Sequence, residues 1–292
     1  MDAAEKEIQA LIALLDDSDN EVFDHVAQRL FSYGPQVISK LEDAYTSIPD
    51  QLAQERIEGI IKHIQFTTVE KDFKDWIRSD SDDLLKGTLI INRHRYPELD
   101  EAEITAKIQK IKKDIWLGLN NYLSPLEQVN VVNQVLFNQM GFSGNIDPAA
   151  DLPLSYFHNV LDKNKGNHFS LGLLYLILCQ QLEMPVYGVC LASHFILTRC
   201  KEYIIDFTDI ESLRSDVLFY INPYNKGLAF GEKEITVYLN KVDMLADEKY
   251  FLPASNKTVL REYLSWLQNL YVKSNEKNNA FELDNLKALL DE

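Results

Sequence analysis

The sequence predicts an α+β fold that is mostly helical, with a buried helix packed on a small antiparallel sheet. The helix is predicted over Phe169–Leu182, where the apolar residues leave no polar face, and helices of that kind are typically buried. Met184-Pro185 ends it, because proline cannot continue the hydrogen-bond ladder. The short β-branched and aromatic runs that follow are typical of strands. These runs are Val186–Leu191, His194–Leu197 and Glu202–Phe207.

Amphipathic helices are predicted on both sides of this core. In residues 1–95, apolar residues recur at helical spacing around the break at Asp16–Asn20, and the pattern resembles HEAT-type helix pairs. Such pairs commonly present a concave binding face, and the alternative is that they only cap the core. Thr67 and Glu70 fit a capping box that would begin a separate helix. A helical hairpin is predicted over residues 246–292. It either resembles a tetratricopeptide-like helix pair or only closes the core.

We therefore predict three regions along the chain. They are N-terminal HEAT-like helices in residues 1–95, the core in 96–245 and a C-terminal helical hairpin in 246–292.

The chain is strongly acidic, with 45 acidic and 29 basic residues among 292 and a formal net charge of −16. Nucleic acids and anionic membranes attract proteins that carry a positive surface, so neither is expected as a partner. The longest apolar run, near residues 171–179, is too short to span a bilayer. A protein partner is expected from the binding or scaffolding role considered below.

The cysteines Cys179, Cys190 and Cys200 argue against a disulfide framework or a zinc knuckle, because their number is odd and no CxxC spacing occurs. A reducing compartment fits this usage. The charged segment at residues 1–7 lacks the apolar stretch of a signal peptide, so we expect a cytoplasmic protein. The sequence has no phosphate-binding loop and no dinucleotide fingerprint, and we predict no cofactor and no metal.

Motifs in the core resemble the transglutaminase-like superfamily of cysteine hydrolases and acyltransferases. In that superfamily a Gly-x-Cys motif opens the central helix, a Gly-Ile-Pro-like motif ends it, and the next strands carry a histidine and an acid. Here Gly166-Asn167-His168 stands at the opening, Met184-Pro185 at the end and His194 on a following strand. The resemblance implies a cysteine-proteinase-like core in which His168 occupies the cysteine position and His194 the histidine position.

Within that superfamily, the chain resembles the SirB-type family. Its members open the helix with Gly-x-Pro-Ile-Ser-Leu and so already lack the cysteine, and the matching segment here is Gly166–Leu171. Ile221–Gly227 is similar to that family's Asp-Pro-Phe-Asn-x-Gly motif, with Asn222 where the acid would be. The resemblance implies a transglutaminase-like core followed by tetratricopeptide-like helices, and it covers residues 120–240 best.

Nucleophilic acyl transfer needs a thiolate or alkoxide, a base that activates it and a group that orients the base. His194 would be the base, and either Asn222 or Asp206 would orient its ring. We favour Asn222, because the motif around it carries the resemblance. The expected site is therefore a vestige formed by His168, His194 and Asn222, with no thiol near it.

Ser170, Cys190 and Asp206 are lesser candidates for a functional role. Ser170 lies two residues beyond His168, about 200° of helical rotation, so we expect its hydroxyl to bond backbone in the first helical turn. Cys190 is expected to pack within its strand. His168, His194 and Asp206 would together form a His/His/carboxylate set of the kind that zinc takes.

The resemblance favours a non-catalytic transglutaminase-like protein that binds or scaffolds a partner. The alternative is a hydrolase or acyltransferase that uses the His194 site, with a rearranged cysteine or serine nucleophile or with a metal. Because His168 stands at the cysteine position, the sequence leaves enzyme activity open and favours its absence.

Overall fold

The computed structural model describes residues 3–17, 19–147, 149, 151–191 and 194–291. Their contacts divide them into two compact units. The first unit comprises the described residues through Asp75 together with Arg93–Pro97, and the second comprises Trp76–Asn92 and the described residues from Glu98 onward. The C-terminal helices belong to the same unit as the core, and the predicted boundaries after residues 95 and 245 stay predictions.

The described residues of the first unit form four helices around one apolar core. Asp19 caps the second helix by accepting a hydrogen bond from the backbone N–H of Glu21 at 2.8 Å. A 3-10 turn over Gly34–Val37 joins the second helix to the third. The helices are α1 (Ala3–Ile12), α2 (Asn20–Tyr33), α3 (Ile38–Ser47) and α4 (Gln51–Asp75). Fully buried core residues include Leu15, Leu30, Val37, Leu41 and Ile57.

The prediction that a new helix begins at Thr67 is wrong, since α4 continues through this position to Asp75. The hydroxyl of Thr67 donates to the carbonyl of His63 at 2.9 Å, and that of Thr68 donates to the carbonyl of Ile64 at 2.7 Å. Threonine can bond the preceding turn of its own helix in this way. No glycine or proline lies between residues 60 and 75, so the helix continues through Thr67.

The second unit is built mainly of helices, and three of them begin at a residue whose side chain caps the first turn. Asp100, Ser124 and Ser255 each accept a hydrogen bond from a backbone N–H in the first turn of the helix that follows. Turns of π-helix occupy Trp76–Asp80 and Gln134–Gln139. The helices are α5 (Leu84–Arg93), α6 (Glu101–Trp116), α7 (Pro125–Asn133), α8 (Phe157–Lys163), α9 (His168–Gln181), α10 (Ile210–Asp216), α11 (Glu232–Lys241), α12 (Asn256–Lys273) and α13 (Lys277–Ala288).

The strands of the described residues form a two-residue parallel pair and an antiparallel sheet. The pair is β1 (Ser143–Gly144) with β2 (Lys165–Gly166). The sheet has the order β3-β4-β5-β6, with neighbouring strands antiparallel. Its strands are β3 (Val186–Leu191), β4 (His194–Cys200), β5 (Val217–Asn222) and β6 (Leu228–Phe230).

Helix α9 packs against β3 and β4, and every residue from Phe169 to Cys179 is buried. The ring of Phe195, on β4, lies directly over Gly172 of this helix, where a Cβ atom would overlap it. The same ring stacks on Phe169 at a centroid distance of 4.5 Å. The predicted fold class is therefore confirmed: an α+β protein, mostly helical, with a buried helix on a small antiparallel sheet.

The prediction of a strand over Glu202–Phe207 is wrong, because this segment forms bends and α10 follows it. The third strand of the sheet is β5. Asp206 is exposed, and its carboxylate accepts hydrogen bonds from the backbone N–H and the hydroxyl of Thr208 at 2.8 and 2.7 Å. An aspartate that bonds its own backbone two residues on favours a turn over a strand.

The turn after β5 is fastened to two helices. The side-chain oxygen of Asn222 accepts a hydrogen bond from the backbone N–H of Asn225 at 3.2 Å. The turn ends at Gly227, whose φ is +71° and whose carbonyl accepts a bond from the Asn133 side-chain amide at 2.9 Å. The Tyr175 hydroxyl donates to the Asn133 oxygen at 3.0 Å. Asn133 therefore links this turn to both α7 and α9.

Gly227→Ala should destabilise the second unit more than Gly141→Ala. Both glycines have positive φ, +71° and +74°, so alanine at either position costs about 1–2 kcal/mol of backbone strain. A Cβ on Gly227 also overlaps the Asn133 side chain, whereas nothing lies within 4 Å of a Cβ on Gly141. We expect an additional loss of about 2 kcal/mol for Gly227→Ala in urea unfolding. Equal losses for the two variants would contradict the packing described here.

Candidate functional site

The N-terminus of α9 is held by reciprocal capping bonds. The side-chain oxygen of Asn167 accepts from the backbone N–H groups of Phe169 and Ser170 at 3.0 and 2.9 Å. The Ser170 hydroxyl accepts from the Asn167 N–H at 3.0 Å and donates to the carbonyl of Leu154 at 2.6 Å. Ser170 therefore makes the bonds to backbone that the sequence predicts for it, and its hydroxyl is committed to them.

His168 is the first residue of α9, and it lies against two other rings. Its imidazole stacks on that of His194, with centroids 5.1 Å apart and planes tilted by 21°. Its centroid lies 4.4 Å from the Trp266 ring, in an edge-to-face arrangement. The backbone N–H of Phe195 donates to the Nδ1 atom of His168 at 3.2 Å. The structure thus brings His168 and His194 together at the place where the sequence expects them to meet.

His194 Nδ1 shares a hydrogen bond with the hydroxyl of Tyr238 on α11, and its partner there is neither Asn222 nor Asp206. The Tyr238 hydroxyl lies 2.7 Å from that nitrogen. Asn222 is nearby, since it and His194 line the same cavity, but its side-chain oxygen caps the turn after β5. Asp206 lies in the exposed loop before α10, where its carboxylate bonds Thr208.

Two cavities adjoin His194, which contributes to the wall of each. The larger has a volume of about 490 Å³, and α12 forms much of its wall. Its lining includes His168, Cys190, His194, Glu262, Trp266 and Lys273. The smaller has a volume of about 210 Å³ and a mostly apolar lining. Its lining includes Leu191, His194, Ile196, Asn222, Leu228 and Tyr238.

The expectation that no thiol lies near the two histidines is wrong, because Cys190 lines the larger cavity with them. The antiparallel register of β3 and β4 pairs Cys190 with Phe195, the residue after His194, and so brings it to the start of β4. Burial raises the pKa of the Cys190 thiol, and the negative charge of Glu262 raises it further. The thiol is therefore protonated at neutral pH.

Both histidines of the site are uncharged at neutral pH. Burial lowers the pKa of His168 to about 3, with a smaller contribution from His194 beside it. Burial also lowers the pKa of His194. The larger cavity therefore carries its charge on Glu262 and Lys273, while its inner wall is neutral.

The sequence analysis did not single out Tyr238, Trp266, Glu262 or Lys273. The three on α12 share one face, since positions 262, 266, 269 and 273 recur at helical spacing. A second row of side chains beside the apolar stripe of α12 was the available signal. No sequence signal pointed to Tyr238, because its hydrogen-bond partner, His194, is 44 residues away along the chain.

The described residues contain no group of three or more His, Cys, Asp or Glu side chains that could hold a metal ion. The set of His168, His194 and Asp206 is thus not assembled. In the same part of the chain, no helix is both long enough and apolar enough to cross a membrane.

Comparison with known proteins agrees with this architecture. A family model described as the transglutaminase-like superfamily matches residues 102–265, which is more than half of the chain. The chain therefore belongs to the transglutaminase-like superfamily.

Relatives of the chain come from bacteria and from mammals. A UPF0162 protein of Xylella fastidiosa (strain 9a5c) is 26% identical over 204 residues, 68% of this chain and 68% of that protein. A UPF0162 protein of Vibrio cholerae is 25% identical over 119 residues, 41% of this chain and 44% of the relative. F-box only protein 21 of Mus musculus is 32% identical over 108 residues, 36% of this chain and 16% of that protein. No solved structure matches the chain.

His168 should make the stability of the second unit sensitive to acid. Its pKa is about 3 in the folded chain, against an ordinary 6.5, so below pH 6.5 the unfolded chain binds the proton first. Its contribution to stability is unchanged above pH 6.5 and falls as the pH drops from 6.5 towards 3, by up to about 1.4 kcal/mol per pH unit. Urea unfolding at pH 7, 6 and 5 measures this loss.

The neutral variant His168→Gln is the matched control for that measurement. All other titrating groups are common to both proteins, so wild type should lose more stability than the variant on acidification. A stability difference that stays constant from pH 7 to pH 5 would contradict the burial of an uncharged imidazole at this position.

Proposed function

We propose that this chain is a non-catalytic, SirB-type member of its superfamily, in which the cavity beside α9 binds a ligand or a segment of a protein partner. The observation that carries the proposal is the hydrogen bond from the Phe195 N–H to His168 Nδ1. It supports the alignment of His168 with the cysteine position of the family and commits one ring nitrogen to the backbone. On this proposal a fixed imidazole stands where active relatives carry the thiolate.

Three side chains near the start of α9 could act as nucleophiles, and each is poorly suited to it. The Nδ1 lone pair of His168 accepts the Phe195 N–H, and the Ser170 hydroxyl is bonded on both sides. The Cys190 thiol is protonated, because burial raises its pKa. Covalent catalysis requires an activated nucleophile with a base beside it. These three states therefore support a binding role.

The larger cavity is suited to binding. Its volume of about 490 Å³ lies within the range of small-molecule sites, roughly 300–1,000 Å³. Its wall combines the apolar rings of Trp266 and Phe169 with the charged side chains of Glu262 and Lys273. Together with HEAT-like N-terminal and tetratricopeptide-like C-terminal helices, such a cavity fits a scaffolding protein of the cytoplasm with a protein partner.

A cysteine-type hydrolase or acyltransferase is the second candidate, because Cys190 and both histidines line one cavity. For this function Cys190 would have to ionise on approach of the substrate, with His194 as the base. This candidate predicts turnover of ester or amide substrates that disappears in Cys190→Ala. The binding proposal predicts no turnover in wild type.

The variant His168→Cys tests the alignment on which the binding proposal rests. A thiol at this helix N-terminus, beside His194, should have a lowered pKa and react rapidly. In a Cys190→Ser background, we expect iodoacetamide at pH 7 to label the introduced thiol at least about tenfold faster than Cys179 or Cys200. Mass spectrometry of the digested protein measures the labelling of each site.

Two controls make this experiment decisive. The Cys190→Ser protein with His168 intact should show no labelling at the cavity, and adding His194→Ala to His168→Cys should slow the labelling. An introduced thiol that reacts no faster than the buried cysteines would refute the alignment. Turnover of an acyl substrate by wild type, lost in Cys190→Ala, would refute the non-catalytic proposal and establish the second candidate.

A further inference from the structure

We propose that the larger cavity selects ligands that carry a carboxylate, and that the Nε2–H group of His168 is the fixed donor that recognises it. The inference rests on the proposed binding function of this cavity and names the chemical class of its ligand. It follows from the proton position on one imidazole and from the distribution of charge along α12.

The hydrogen bond at Nδ1 fixes the position of the proton on His168. A backbone N–H can only donate, so Nδ1 must offer a lone pair to the N–H of Phe195 and cannot itself carry a proton. A neutral imidazole carries its proton on one of the two nitrogens, and here that nitrogen is Nε2. The ring therefore presents an N–H donor and no acceptor beyond Nδ1.

The Nε2–H group is available to a ligand. Among the described residues, this atom has no hydrogen-bond partner. It is also not among the fully buried polar atoms without a partner, so part of its surface is accessible. His168 lines the larger cavity and is only partly enclosed. A donor of this kind is satisfied by a carbonyl or carboxylate oxygen.

Charge along α12 favours a carboxylate over a neutral carbonyl. Lys273 lies at one end of the cavity, where its positive charge acts on the pKa of the Asp151 carboxyl group. The backbone carbonyl of Asp151 accepts a hydrogen bond from the side-chain amide of Asn167, which caps α9. Glu262 lies at the other end, where its charge acts on Cys190. The two are eleven residues apart, about 16 Å along the helix axis. Lys273 is therefore the cation of the lining that a ligand carboxylate would meet, and Trp266, which contacts His168, lies between Lys273 and Glu262 on α12.

Trp266 gives the ligand an apolar surface in a fixed orientation. Its indole N–H donates to the Ser155 hydroxyl at 3.1 Å, and its ring contacts that of His168 edge to face. Because hydrogen bonding and packing already fix this ring, covering the apolar part of a ligand costs little further side-chain entropy. The class of ligand that fits is a carboxylate attached to an aromatic or aliphatic body.

The proton position can be measured on the wild-type chain without any ligand. Two-bond correlations between nitrogen and carbon-bound protons of a ¹⁵N-labelled histidine distinguish its tautomers, and the Nε2–H form is expected for His168 from pH 5 to pH 8. Observation of the Nδ1–H form, or of an imidazolium, in that range would overturn the proposal. The measurement needs no variant, so it stands even if a substitution prevents folding.

Ligand selection is tested with benzoate and benzylamine, which share a ring but carry opposite polar groups. Benzoate should shift the indole N–H resonance of Trp266 and the Nε2–H resonance of His168 in a saturable titration, and benzylamine should not. His168→Phe keeps an aromatic ring but removes the donor, and it should weaken benzoate binding about tenfold or more. Lys273→Gln should also weaken it, and more at low salt than at high salt.

Lys277→Gln is the matched control, since it removes the same charge from an exposed position on α13 that does not line the cavity, and it should not weaken benzoate. The proposal is overturned if benzylamine binds as tightly as benzoate, if neither compound shifts the two resonances at millimolar concentration, or if Lys277→Gln weakens benzoate as much as Lys273→Gln. None of these outcomes requires catalytic turnover, so failure here is distinguishable from failure of the non-catalytic proposal.

Discussion

Ser155 joins three parts of the second unit through its hydroxyl and its carbonyl. The hydroxyl donates to the Asp151 carbonyl at 2.7 Å and accepts from the side chains of Asn167 and Trp266 at 2.7 and 3.1 Å. The carbonyl accepts from the Tyr263 hydroxyl at 2.7 Å. A buried donor left without a partner costs about 1–3 kcal/mol, so these bonds constrain where each donor can lie. The start of α9, the loop before it and the wall formed by α12 are thereby set relative to one another.

The cavity is a consequence of this arrangement. Helix α9 and strand β4 supply the two histidines, as the superfamily framework implies, whereas α12 supplies the opposite wall and both charged groups. The match that identifies the family ends at residue 265, so it includes both histidines but leaves Trp266 and Lys273 of the opposite wall outside it. In the proposed binding function, Trp266 and Lys273 on α12 act together with His168, and for this reason family membership alone does not state what the chain would bind.

Much of the fold could be predicted from the sequence because its signals are local. An apolar stretch bounded by Asn167 and Met184-Pro185 predicts α9, and Ser124 and Ser255 mark helix starts by short-range hydrogen bonds. The errors came where two short-range signals compete. The hydroxyl of Thr67, for example, can cap a helix N-terminus or bond a carbonyl within a helix, and here it bonds the carbonyl of His63. The approach of His168 to His194 followed from the resemblance. The approach of Cys190, Tyr238 and Trp266 depends on packing between distant segments, which no single-sequence pattern encodes.

A histidine in a binding site usually makes the site responsive to pH, because its ordinary pKa lies close to that of the cell. With a pKa of about 3 and one nitrogen bonded to β4, His168 has lost that property. Within the physiological pH range the ring stays neutral and offers a ligand one N–H donor, as the indole of a tryptophan does. If His168 occupies the cysteine position as proposed, the residue at the family's most reactive position is here chemically inert, and acidification within that range would leave its hydrogen bond to the proposed ligand unchanged.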